Sequence, residues 1–272
     1  LERCERAVKF EQMTGESRLI EGIYNYCDRW CERCAFTSRC MLYSREQEDL
    51  DDPADRDIHS DAFWSKLASI FKQTQEMITE LAAEQGIDLE AIDTQSLMEA
   101  EERLRDKSES HPLSRSAEHY IKLVNEWFDQ YSASEQERES GGIRSDLPLV
   151  DFDAADRASN IQEVIDVIRW YQFQIAVKIM RGLMGDDPGR AEELDAVSQR
   201  DSDGSVKVAL IGMERSLSAW GKLRELLPGK NDSIVAIMLH LEQLRRSTEQ
   251  TFPNAMSFVR AGFDEAPDQF VS

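Results

Sequence analysis

Residues 60–86 read SDAFWSKLASIFKQTQEMITELAAEQG. Phe63, Trp64, Leu67, Ile70, Phe71, Met77, Ile78 and Leu81 recur at three- and four-residue spacing, which gathers them on one face of an α-helix. Ser60 stands where a helix start needs a side-chain acceptor, and Gly86 supplies a stop. The same pattern continues along the chain. A short helix is expected over 94–107. Pro112 suits the first turn of another, with Leu113, Ala117, Tyr120, Ile121, Val124, Trp127 and Phe128 as its apolar stripe. The helix over 160–184 is the most apolar and is expected to be central, with Ser159 and Gln162 as a capping box. Helices over 205–227 and 231–251 are separated by Pro228-Gly229, with Asn231 or Asp232 as the next cap.

Alternating β-branched runs bounded by hairpin dipeptides do not occur. The expected fold is therefore all-α, a multi-helix bundle with an N-terminal four-cysteine metal-binding segment. Residues 1–50 form that segment, and residues 58–272 form the helical bundle domain, the two packing together. The charged run at 45–57 reads as a linker. Residues 132–157 are rich in Ser, Glu, Gly and Asp and read as a mobile loop, with LPLVDF as a short extended piece. The tail over 252–272 carries Phe252, Phe258, Phe263 and Phe270, and is expected to be irregular and docked by its aromatic rings.

The net charge of −21 disfavours phosphate backbones and anionic membrane surfaces as partners. No apolar run approaches the roughly 18 residues needed to span a bilayer, and no basic and apolar leader opens the chain. Of five cysteines, four crowd between residues 27 and 40, a usage that suits metal binding in a reducing, cytoplasmic setting rather than disulfides.

That stretch reads Cys27-Asp-Arg-Trp-Cys31-Glu-Arg-Cys34-Ala-Phe-Thr-Ser-Arg-Cys40. On a helix, Cys27, Cys31 and Cys34 would share one face, and a turn after Ala35 would return Cys40 as the fourth ligand. Four thiolates are the usual shell of a structural zinc or an iron–sulfur cluster. Arg29, Arg33 and Arg39 interleave with them and offset their charge, while Tyr24, Tyr26, Trp30, Phe36 and Tyr43 supply apolar walls. Zinc sites usually combine two separated cysteine pairs, and only one Cys-x-x-Cys pair is present here. The compact run favours a cluster over Zn2+. Cys4 is expected to be a spare thiol.

The segment from Cys31 through Cys34 and Cys40 to Tyr43 resembles the corresponding part of WhiB-like regulators, which carry a [4Fe-4S] cluster on a small helical fold. It is also similar to the three-cysteine part of the iron-staple nucleases of the RecB type, where a fourth cysteine lies upstream. The resemblance covers about thirteen residues, and neither the basic tail of the first family nor the nuclease signature of the second is present. It therefore implies a cofactor, and neither DNA binding nor cleavage. Cys27, Cys31 and Cys34 also match the radical S-adenosylmethionine spacing, but the βα alternation of those enzymes is missing and Arg33 stands where they usually carry an aromatic residue.

His59, His111, His119 and His240 form none of the paired metal motifs, and no nucleophile elbow or phosphate-binding glycine loop appears. Lys178, Arg181, Glu214, Arg215, His240, Glu242 and Arg245 lie among apolar neighbours in the C-terminal helices, either as a pocket or as ion pairs on helix faces. Trp170, Tyr171, Phe173 and Trp220 are expected in the core. The expected function is non-enzymatic: a [4Fe-4S]-binding protein with a structural or redox- or gas-sensing role, with a protein partner or a homo-oligomer. The alternatives are a zinc-stabilised adaptor for protein partners and an electron-transfer component.

Overall fold

A computed structural model describes residues 19–48, 57–141, 152–186 and 200–264. Among them the chain forms seven α-helices and no strand. These are α1 (Met41–Glu48), α2 (Asp61–Gln85), α3 (Thr94–Glu109), α4 (Pro112–Gly141), α5 (Phe152–Gly185), α6 (Asp201–Leu226) and α7 (Asn231–Thr251). Two compact units emerge, one built from residues 1–101 with 260–272, the other from residues 102–259. The boundary falls within α3.

The punctuation of α2 follows its sequence. Ser60 Oγ accepts from Phe63 N at 3.1 Å, and Gly86 ends the helix with φ +68°, a conformation that costs glycine little. Pro112 opens α4. The turn between α6 and α7 is a 3-10 step over Pro228–Lys230. Neither Asn231 nor Asp232 caps α7: its N-cap is Lys230, with no side-chain hydrogen bond. Ser159 caps nothing either, because α5 begins at Phe152. Helix covers residues 132–141 and 152–157 of the expected loop, where Glu, Gln, Ser and Ala tolerate helical backbone well. The remainder of that loop, with most of LPLVDF, lies outside the described residues, as do Cys4 and Phe270.

In the second unit α4 packs on α5 and α7, and α6 packs on α5 and α7, so the four form a bundle around one core. The closest pairing is α5 with α6. At Gly182 an added methyl would run into the Val206 side chain, at Gly185 it would meet Ser202 Cβ at 3.4 Å, and at Gly212 it would meet Tyr171 Cδ1 at 3.0 Å. Glycines thus sit on both sides of the contact and let the helix backbones approach closely. Consequently α6, rather than α5, is the central helix: every residue from Ser202 to Leu210 is buried.

Burial on all sides of α6 encloses polar groups. Lys207 is buried and donates from Nζ to the Phe258 carbonyl at 2.6 Å, which ties down the segment after α7 together with buried Phe252 and Ala255. Burial raises the Asp203 carboxyl, with the nearby Arg200 guanidinium opposing. Arg181 pairs with Asp201 at 2.8 Å, and Arg200 with Asp186 at 2.6 Å, bracing the α5–α6 end.

Aromatic rings join aliphatic side chains such as Ile168, Ile179, Leu223 and Leu241 in the core. Trp127 meets Trp220 edge-on at 5.2 Å, and Trp220 Nε1 donates to the Tyr120 hydroxyl at 3.1 Å. Burial pushes the Tyr120 phenol up to about 12, against the Trp220 hydrogen bond, so the hydroxyl stays neutral. Tyr171 and Trp220 are buried as expected, Trp170 is half-buried, and Phe173 is 54% exposed on the outer face of α5 beside Val177.

At the edge of α7, Glu242 accepts from Arg245 at 2.8 and 2.9 Å and from Arg246 at 2.8 Å. These hydrogen bonds, Arg245 first, lower its pKa to about 2 from an ordinary 4.5.

Two outcomes follow from these contacts. Gly182→Ala gains about 1 kcal/mol of helix propensity but forces the helices apart, for a net loss of about 1–2 kcal/mol in urea unfolding. Val206→Ala in the same chain should recover part of that loss, which a double-mutant cycle reads directly. Because the folded pKa of Glu242 is depressed, its stabilising contribution is present above pH 4.5 and fades as pH falls towards about 2. Glu242→Gln should therefore flatten the loss of stability across that window while changing little at neutral pH beyond a constant offset.

Candidate metal centre

The thiol segment lies in the first unit and is a string of tight turns. It is not the helix that the spacing of Cys27, Cys31 and Cys34 suggests. Gly22 takes φ +71°, and Asn25 N donates back to its carbonyl at 2.9 Å. The Asp28 carboxylate accepts from Trp30 N at 3.2 Å, and Arg29 adopts φ +57°, a left-handed conformation that halts any helix there. Cys31–Arg33 and Thr37–Arg39 are single 3-10 turns, and Cys40 precedes α1.

These turns nonetheless bring all four cysteines together. Cys27, Cys31, Cys34 and Cys40 line one cavity of about 20 Å³, walled by Tyr24, Trp30, Phe36 and Tyr43. Every one of the four is partly exposed and free of disulfide. Among the described residues, no group of three or more His, Cys, Asp or Glu side chains is placed to hold a metal ion.

Hydrogen bonds already address the sulfurs. Phe36 N donates to Cys34 Sγ at 3.4 Å, the kind of contact that stabilises thiolate charge. The Cys27 thiol donates to the Tyr24 carbonyl at 3.6 Å. Burial raises the Cys31 pKa, Arg29 opposes it, and Glu46, Cys27 and Cys34 add to the rise. Arg29 is itself held by Glu46 at 2.7 Å, while Arg33 lies 4.2 Å above the Trp30 ring.

One wall comes from far along the chain. Phe263 lines the cavity and meets Phe36 edge-on at 5.2 Å. Gly262, at φ +75°, lies so close to Ile20 and Ile23 that a Cβ there would meet them at 3.0 and 2.9 Å. Arg260 ties this return segment to Asp264 at 2.9 Å and covers the Phe263 ring at 5.0 Å. Phe263 is one of four phenylalanines in the tail, and nothing local in the sequence says that it is the one that lines this cavity.

The charged residues of the C-terminal helices divide between pairs and a cleft. Arg181 is paired with Asp201, and Arg215 donates to the Tyr171 hydroxyl. His240 Nε2 donates to the Ser116 carbonyl at 2.8 Å, with His119 edge-on at 4.8 Å. Glu214 and Arg245 do share a cleft of about 330 Å³ with Leu210, Leu217, Glu249 and Met256. Arg245 is fully engaged there, by Glu242 and by Glu249 at 2.5 Å, and Lys178 is not among its walls. The cleft lining thus carries two carboxylates, Glu214 and Glu249, against one guanidinium, Arg245.

Among the described residues no helix is long and apolar enough to cross a membrane. No family model matches the chain, and neither a curated protein nor a solved structure shows significant similarity to it.

Proposed function

We propose that Cys27, Cys31, Cys34 and Cys40 hold an iron–sulfur cluster of the [4Fe-4S] type, and that the chain is a cytoplasmic metal-binding protein in which that cluster has a structural or a redox- or gas-sensing role. The observation that carries this reading is the single cavity that all four thiols line. Each thiolate of such a cluster binds a different iron, so its ligands stand around a volume rather than a point. The cavity that all four thiols line is the volume such a ligand set would surround. The Phe36 N–H on Cys34 Sγ and the Arg29 charge near Cys31 supply groups of the kind that tune cluster potential. Partial exposure of the thiols gives small oxidants access to the site, which favours sensing over a sealed structural staple.

One observation favours zinc instead. A cavity of about 20 Å³ accommodates a single water-sized guest, so a cluster requires the surrounding turns to open outward. In that second reading the site stabilises a helical adaptor for protein partners.

Anaerobic purification of the full chain with iron, sulfide and zinc quantitation separates the readings. The cluster reading expects a brown protein with about four iron and four sulfide per chain. Stoichiometric zinc in a colourless protein overturns it and leaves the four-ligand site standing. Cys34→Ser should abolish metal binding, whereas Cys4→Ser should leave it intact. Full metal content in Cys34→Ser overturns the ligand set itself.

A further inference from the structure

Residues 260–264 reach the thiol cavity as a turn closed upon itself. The Asp264 carboxylate accepts from Arg260 N at 3.0 Å, from Arg260 Nε at 3.0 Å and from Arg260 Nη2 at 2.9 Å. The Arg260 carbonyl in turn accepts from Phe263 N at 3.2 Å and from Asp264 N at 3.1 Å. The two charged side chains are only 14% and 21% exposed. A planar guanidinium that grips one carboxylate through two N–H groups fixes the geometry of both. The turn therefore carries a defined shape into the site.

Two apolar contacts seat it. Gly262 is buried at φ +75°, and a Cβ there would stand 2.9 Å from Ile23 Cδ1 and 3.0 Å from Ile20 Cδ1. Glycine is thus required twice over, once for its backbone angle and once for space. Phe263 then meets Phe36 edge-on at 5.2 Å, and Phe36 is the residue whose N–H donates to Cys34 Sγ. The Arg260 guanidinium lies 5.0 Å from the Phe263 ring centre, so a cation and a second ring both hold that ring in place.

This ring occupies a particular position. Every other residue lining the cavity falls between Ile23 and Tyr43, and Phe263 is the one wall brought from elsewhere in the chain. The enclosed space is about 20 Å³, and the four thiols around it are each only partly exposed. Removing a phenyl ring from the wall of so small a cavity opens it on that side.

We infer that residues 260–264 are a plug for the thiol cavity, and that the Phe263 ring sets how readily a solute reaches Cys27, Cys31, Cys34 and Cys40. The inference deepens the four-thiol reading and rests on it in taking this cavity as the site. Which metal the thiols hold does not enter. Thiol reactivity follows access as well as charge, so a plug of this kind regulates the site without touching its ligands.

Iodoacetamide labelling of the reduced full chain, kept in excess chelator so that bound metal plays no part, measures that access. Peptide mass spectrometry resolves each cysteine. Phe263→Ala removes the ring, while Gly262→Ala drives the turn off Ile20 and Ile23 and leaves every lining side chain unchanged. Each should raise the labelling rates at least about fivefold, whereas Phe263→Leu, which keeps most of the bulk, should stay within about twofold of the wild type. Low urea separates a plug from a damaged fold. Labelling through a local opening is nearly indifferent to urea below the unfolding transition, and labelling through global unfolding rises steeply with it. The plug is overturned by alanine variants that label at the wild-type rate, by a leucine variant as fast as the alanine one, or by a gain that grows steeply with urea. A wild type whose four thiols already label as fast as glutathione overturns it too. Iron and zinc contents are no part of this readout, so the plug and the cluster stand or fall separately.

Discussion

The close approach of α5 and α6 is the constraint on which the bundle rests. Gly182 and Gly185 on one helix and Gly212 on the other remove the side chains that would hold the backbones apart. Side chains of each helix, such as Val206 and Tyr171, pack against glycine positions on the other, which adds dispersion contacts. One consequence is that α6 is buried all round along Ser202–Leu210, a stretch in which Ser202, Asp203, Ser205 and Lys207 stand among the apolar residues. Lys207 resolves its own burial by holding the Phe258 carbonyl. A cation that would be costly alone inside the protein thereby becomes the anchor of the segment after α7.

The thiol segment, residues 19–40, uses a different logic. It holds only 3-10 turns, Ile20 and Ile23 are its buried apolar side chains, and its shape comes from turns set by Gly22, Asp28 and Arg29. Such a segment gains little from apolar burial, and a left-handed Arg29 costs it on the order of 1 kcal/mol. Cross-linking by a metal would offset both deficits, as it does in other small cysteine-held modules. The surrounding charges are balanced rather than uniformly basic: Arg29 faces Glu46 as well as Cys31, and it opposes without overcoming the rise that burial gives the Cys31 thiol.

Sequence periodicity carried the helices well, because their ends are written in single residues. Ser60, Gly86, Pro112 and the Pro228-Gly229 pair act locally, and the structure uses each of them as a start or stop. It carried the surroundings of those helices poorly. The pattern of α2 declares an apolar face but not its neighbour, and Phe173 looks like a core residue although it lies outside. Polar Ser202, Asp203 and Lys207 hide the centrality of α6, since burial there follows from glycines on both helices of the contact. The cysteines illustrate the same limit. Their crowding is legible, but the spacing suggested a helix because the Asp28 side chain's competition for the Trp30 amide is invisible to periodicity.

The return of residues 260–264 to the thiol segment has a consequence in time. The first unit is discontinuous in the chain, and Phe263 is one wall of the cavity that Cys27, Cys31, Cys34 and Cys40 line. Translation delivers the cysteines first and that wall only after all four helices of the bundle have been made. The nascent cysteines therefore emerge with Tyr24, Trp30, Phe36 and Tyr43 beside them but without Phe263. The cavity thus acquires its last wall only when the final stretch of chain returns to it, so the order of the chain sets the order in which the cavity is built.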